Sequence, residues 1–133
     1  MELVWISKAE TIAIHAKQLA VHGGGTGIRD EGLLESALAR PLNIAAYATE
    51  SPSLHRLAAA YAFGIAKNHP FVDGNKRTAM VVSFIFLELN GLEMTATQEE
   101  AYFVIYDLAA GHVTEDQLTA WFEDHSASAH SER

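Results

Sequence analysis

Between His69 and Thr78 the chain reads His-Pro-Phe-Val-Asp-Gly-Asn-Lys-Arg-Thr. An imidazole is the side chain best matched to taking a proton from a hydroxyl near neutral pH, which makes His69 a candidate general base. Asp73 offers a carboxylate that can cap a following helix or hold Mg²⁺ beside phosphates. Gly74 lets a ligand come close to the backbone. Asn75 offers an amide, and Lys76 and Arg77 offer charge and donors to an anion. Phe71 is the apolar residue placed to pin this loop to a core. Together these groups could hold a polyphosphate and activate an attacking hydroxyl. The same residues also read as an ordinary turn and helix cap followed by charged surface, and spacing alone leaves both readings open.

The elements that must position these residues read as helices. Pro70 forces His69 out of helical geometry, so the preceding helix ends near Asn68. The apolar run from Ala79 to Leu87 makes the next helix hydrophobic nearly all round, as befits the middle of a bundle. That helix begins near Asp73 to Lys76, extends to about Asn90 and stops at Gly91. Its N-terminus carries unpaired N–H groups and a partial positive charge, which attract phosphate.

Upstream, Ser7 and Glu10 make a capping box for a first helix with Ile12, Ala13, Ala16, Leu19 and Ala20 at helical spacing. Gly23-Gly-Gly-Thr-Gly27 ends it. Asp30 caps a short second helix that stops before Pro41, leaving 41–52 irregular with room for a short hairpin. Ser53 opens a third helix with a stripe of Leu54, Leu57, Ala58, Tyr61, Ala62 and Ile65, and Gly64 predicts a close helix contact. Thr97 with Glu100 starts a fifth, ended by Gly111, and Thr114 starts a sixth. No strand is convincing. The expected fold is all-α: one compact domain of about six helices over 1–125, with 126–133 a frayed polar tail.

With 133 residues, nearly half of them hydrophobic, the chain suits a single domain with a sizeable core. It has no cysteine, which excludes disulfides, zinc-thiolate sites and thiol nucleophiles. Seventeen acidic against nine basic side chains give a formal charge of −8. A general nucleic-acid binder would be basic, so direct nucleic-acid binding is not expected. No apolar run approaches the roughly 20 residues that span a bilayer, and the N-terminus lacks a secretion signal. The expected setting is cytoplasmic.

The motif resembles the signature of the Fic/Doc family, His-Pro-Phe-x-Asp/Glu-Gly-Asn-Gly-Arg-x-x-Arg, and is most similar to its Doc (death-on-curing) branch, which ends Asn-Lys-Arg-Thr. Arg29-Asp-Glu-Gly-Leu-Leu-Glu-Ser-Ala-Leu-Ala-Arg-Pro41 and Ala58-Ala-Ala-Tyr-Ala-Phe-Gly64 also resemble Doc-type toxins. Lys76 stands where Fic enzymes have a glycine, and Met80 where they have a second arginine. Those two residues seat phosphates for AMP transfer in Fic enzymes. A lysine would fill the α-phosphate's space, so the resemblance implies a kinase that moves the γ-phosphate of ATP. By position, His69 would deprotonate the target hydroxyl and Asp73 would bind Mg²⁺. Gly74, Asn75, Lys76 and Arg77 would hold phosphates.

The resemblance further implies a toxin that arrests translation by modifying elongation factor Tu and is neutralised by a cognate antitoxin. It implies that 41–52 is a flap aligning the target peptide by strand pairing. A Fic-type AMP transferase and a catalytically silent binding module are the alternatives. No self-inhibitory Ser/Thr-x-x-x-Glu-Gly/Asn segment is present, since Thr26 to Gly32 has the wrong spacing.

Other features read as structure. The glycine run lacks the Gly-Lys-Ser/Thr ending of a phosphate loop and is expected to be a connector. His15 and His22 share a face without further ligands and are expected to be core or surface rather than zinc ligands. Trp5, Trp121 and Phe122 are expected in the core. Glu31, Glu35 and Arg40 suit surface salt bridges, with Arg40, near the flap, also a candidate for function.

Overall fold

The computed structural model describes residues 2–129. Six helices and two short strands follow in the order α1 (Lys8–His22), α2 (Glu31–Tyr47), α3 (Leu54–Asn68), α4 (Asn75–Leu89), β1 (Leu92–Met94), α5 (Gln98–Ala110), α6 (Glu115–Asp124) and β2 (Ser126–Ser128). Local sequence sets most boundaries. Ser7, Thr97 and Thr114 form capping boxes with Glu10, Glu100 and Gln117, satisfying amides that would otherwise be orphaned. Asp30 and Ser53 cap α2 and α3. Gly111 ends α5 in the left-handed conformation.

The core lies where α3 and α4 meet, with α2, α6, α1 and α5 packed around them. Six consecutive residues of α3, from Leu57 to Ala62, are fully buried, so α3 is enclosed on more sides than its apolar stripe suggests. Its run of alanines brings neighbouring helices close. Against α2, a Cβ added at Gly64 would fall 3.0 Å from both the Cα and the carbonyl oxygen of Ala37, which confirms the close contact expected there. Tyr61 lies fully buried with its hydroxyl 2.9 Å from the Ile6 N–H. Phe122 is fully buried, and Trp5 and Trp121 pack half-buried against the core.

Three expectations need correction. The helix α2 does not stop before Pro41 but continues through it to Tyr47. Proline costs a helix one hydrogen bond and a ring contact with the carbonyl four residues back, and here Pro41 is buried. Leu42, Ala45 and Ala46, which favour helix, follow it. The irregular segment therefore shrinks to the residues after Tyr47, and no hairpin forms there. Strands do exist: β1 and β2 pair antiparallel in the register Leu92↔Ser128, Glu93↔Ala127 and Met94↔Ser126. Residues 126–128, expected to fray, are thus tied to the fold by main-chain pairing that their small polar side chains do not advertise, while 130–133 lie outside the described residues. Among the described residues no helix is long and apolar enough to cross a membrane.

Candidate active site

The motif loop runs from the end of α3 to the start of α4. His69 follows Asn68 in the left-handed region at φ 53° and ψ 54°, the one non-glycine residue with positive φ among those described. Arg29 holds this end of α3: its Nε donates to the His69 carbonyl at 2.7 Å and its Nη2 to the Asn68 carbonyl at 2.9 Å. A cation on the last carbonyls of a helix satisfies acceptors and opposes the dipole. The His69 side chain is exposed.

Beyond it the loop pairs with the segment after the glycine run. The Pro70 carbonyl accepts from the Arg29 and Asp30 amides, Val72 donates to the Gly27 carbonyl, and Ile28 bridges Phe71. Phe71 is fully buried and anchors the loop as expected.

Asn75 departs from its expected use. Its side-chain oxygen accepts from the Phe71 N–H and its amide donates to the Phe71 carbonyl. The side chain is buried, with its oxygen and one of its two amide hydrogens engaged by the Phe71 backbone. Its backbone N–H remains one of the unpaired donors at the start of α4. Asp73 does not cap that helix either. Gly74 is the N-cap, at φ 79°, with no side-chain cap bond, so the first-turn amides are left open to an anion. The Asp73 carboxylate instead accepts from Gly74 N–H through Oδ1 and from Gly25 N–H through Oδ2, at 2.9 and 3.2 Å.

His69, Asp73, Gly74, Asn75, Lys76 and Arg77 converge on one cleft of about 320 Å³, whose wall also includes His22, Gly23, Gly24 and Tyr102. The glycine run is thus a connector that also forms a wall of the site. A Cβ at Gly24 would fall 2.9 Å from the Asp73 carboxylate, a proximity that no local pattern announces. From α5 come aromatic rings beside the cations, Tyr102 in the wall of the cleft and Tyr106 outside it. Arg77 Cζ lies 4.6 Å from the Tyr102 ring centroid and Lys76 Nζ 5.5 Å from that of Tyr106. The spacing of Tyr102 and Tyr106, one helical turn apart, was the available signal.

His15, expected in the core or on the surface, is buried and reaches the loop. Arg40, by contrast, is outside the cleft: with Arg56 it binds Glu115. Lys8 pairs with Glu31 and Glu35.

Among the described residues no cluster of three or more His, Asp or Glu side chains could form a metal cage. A lone exposed carboxylate beside uncapped helix amides has the chemistry to suit Mg²⁺ nonetheless, because that ion takes one or two carboxylates and completes its shell with phosphate oxygens and water.

The helical bundle thus presents an imidazole, a carboxylate and two cations beside an open helix N-terminus in one cleft. The model of the Fic/DOC family matches residues 5–87, and the chain belongs to that family. It is 35% identical over 109 residues to the protein named "Protein kinase doc" of Escherichia phage P1, covering 82% of each chain. It is 43% identical over 74 residues to "Toxin Doc" of Mycolicibacterium smegmatis, a match spanning 56% of this chain and 57% of that protein.

Proposed function

We propose that the chain is a Doc-type toxin acting as a protein kinase. It transfers the γ-phosphate of ATP to a Thr or Ser hydroxyl of a translation factor, with elongation factor Tu the expected target, and a cognate antitoxin restrains it in the cytoplasm. The observation that carries the chemistry is the meeting of His69, Asp73 and the open N-terminus of α4 in one cleft. The relative named as a protein kinase, aligned over 82% of both chains, supports the same reading.

In this reaction His69 takes the proton of the target hydroxyl as its oxygen bonds to the γ-phosphorus. The bond from that phosphorus to the β,γ-bridging oxygen breaks, and ADP leaves. The first-turn amides of α4, with Lys76 and Arg77, hold the phosphates and oppose charge on them. Asp73 is the residue to hold Mg²⁺, which when bound neutralises charge across the phosphates. Such a transfer needs positioning and charge rather than a covalent intermediate, which fits a site this sparse.

Lys76 favours γ- over α-transfer. It occupies the position of a family glycine, and Met80, in place of an arginine, is buried in the core and brings no charge to the cleft. The test is a transfer assay with purified protein, Mg²⁺ and a bacterial extract, run with γ-labelled and α-labelled ATP in parallel. A labelled protein from the γ label alone, lost in His69→Ala, is expected. Labelling from the α label alone would overturn the kinase reading in favour of nucleotidyl transfer. No labelling from either would favour a binding module.

A further inference from the structure

Behind the cleft, one buried polar side chain is aimed at the motif loop. His15 is 4% exposed, midway along α1. Its ring stacks on Phe71 with centroids 3.8 Å apart and planes 8° from parallel. Its Nε2 lies 2.8 Å from the Asp73 carbonyl oxygen. That oxygen can only accept, so Nε2 carries the proton and donates. The next residue also passes close to α1: a Cβ at Gly74 would come 3.3 Å from the Leu19 side chain and 3.6 Å from the His15 ring.

We propose that His15 is a positioning residue for phosphoryl transfer. It touches neither ATP nor the target. It grips the loop twice, by the Phe71 ring and by the Asp73 carbonyl, and so fixes the peptide joining Asp73 to Gly74. That peptide aims two parts of the site. On one side is the Asp73 carboxylate; on the other are the first amides of α4. An apolar ring at position 15 would satisfy packing alone. The hydrogen bond is the part that fixes the peptide's rotation, and a displacement of about 1 Å at a reacting centre can cost ~100-fold in rate.

The inference rests on the phosphoryl-transfer reading, and its test separates the two. His15→Phe keeps a ring against Phe71 but has no donor, whereas His15→Gln keeps a donor. Both are compared with wild type for melting temperature and for amide exchange at Val72 and Gly74 without ligand. The kcat and KM for ATP are read with γ-labelled and α-labelled nucleotide and bacterial extract as acceptor. His15→Phe is expected to melt within a few degrees of wild type, to exchange those amides about tenfold faster, and to lose about 10- to 100-fold in kcat with little change in KM, the scale set by such misplacement. His15→Gln is expected to recover most of the kcat.

A kcat for His15→Phe within twofold of wild type, or unchanged exchange, overturns the proposal. If His15→Phe does not fold, the comparison passes to His15→Gln against His15→Leu, and equal kcat in those two overturns it. A wild type that uses only the α label overturns the kinase reading, while the same variants still decide the role of His15. If wild type uses neither label, amide exchange alone decides whether His15 fixes the loop.

Discussion

The Asn75 side chain pairs with both backbone groups of Phe71, accepting from its N–H and donating to its carbonyl at 2.9 Å each. It closes the motif loop as a neighbouring strand would. Because Phe71 is fully buried, removing the amide leaves two main-chain groups without partners. Each such loss costs about 1–3 kcal/mol. Asn75→Ala is therefore expected to lower unfolding free energy by about 2–4 kcal/mol, and Asn75→Asp, which keeps the acceptor but sets a buried carboxylate against the Phe71 carbonyl, by at least as much. Denaturant titration reads both. A stable Asn75→Ala protein with weakened ATP binding would return this side chain to the phosphate.

His69 combines an exposed side chain with a left-handed backbone at φ 53°. Replacing it should abolish transfer while leaving the fold. Its backbone adds a second expectation: a residue with a Cβ is strained there and glycine is not. His69→Gly should be about 1 kcal/mol more stable than His69→Ala, with both inactive. Measurable transfer by either variant would remove His69 from the role of base.

The motif residues were legible because they are consecutive: a loop followed by a helix brings His69, Asp73, Lys76 and Arg77 together with little help from the rest of the chain. The helix starts were legible for the same reason, since a capping box is complete within four residues. What stayed hidden depends on tertiary contact. Asn75 looks identical in sequence whether it faces a phosphate or the Phe71 backbone. The glycine run, read as a connector, meets Asp73 across 48 residues. His15 is buried with Thr11, while Ile12, Ala13, Ala16 and Ala20 of the expected apolar stripe are exposed, so the spacing of apolar residues in α1 gave no sign of its burial. Pro41 misled because the local cost of proline was weighed without the packing that offsets it.

The pairing of Arg77 with Tyr102 and of Lys76 with Tyr106 holds two flexible cations near the cleft. A cation over an exposed ring is worth about 0.5–1 kcal/mol. Tyr102→Leu keeps apolar bulk but removes the ring, and should raise the KM for ATP about two- to fivefold by this amount. Tyr102→Phe keeps the ring and should behave as wild type. If Tyr102→Phe is as impaired as Tyr102→Leu, the hydroxyl rather than the ring is the contributing group.

Gly24 tests the glycine-run wall of the cleft. At φ 126° and with the Asp73 carboxylate 2.9 Å from where a Cβ would lie, Gly24→Ala must move either the loop or the carboxylate. It should reduce transfer and raise the Mg²⁺ concentration needed for half-maximal rate. Gly23 is the comparison: it lines the same cleft and has positive φ but open space around a Cβ, so Gly23→Ala should cost about 1–3 kcal/mol of stability and shift the Mg²⁺ dependence less than Gly24→Ala. Equal Mg²⁺ dependence in the two variants would mean that the contact at Asp73 is not what matters.

Away from the cleft, Glu115 ties the start of α6 to α2 and α3. Its carboxylate accepts from Arg40 Nε at 3.1 Å and Arg56 Nη1 at 2.8 Å. Burial pushes its pKa up, but the hydrogen bonds from Arg40 and Arg56 outweigh burial and hold it below its usual value of 4.5. A carboxylate with a lowered folded-state pKa contributes stability that is present above the unfolded value and is lost as pH falls through the folded one. Glu115→Gln should thus be less stable than wild type at pH 7, and the gap should narrow steadily as pH falls below about 4.5. Thermal melts of both proteins across that range read it directly. A gap that stayed constant with pH would assign the loss to packing rather than to charge.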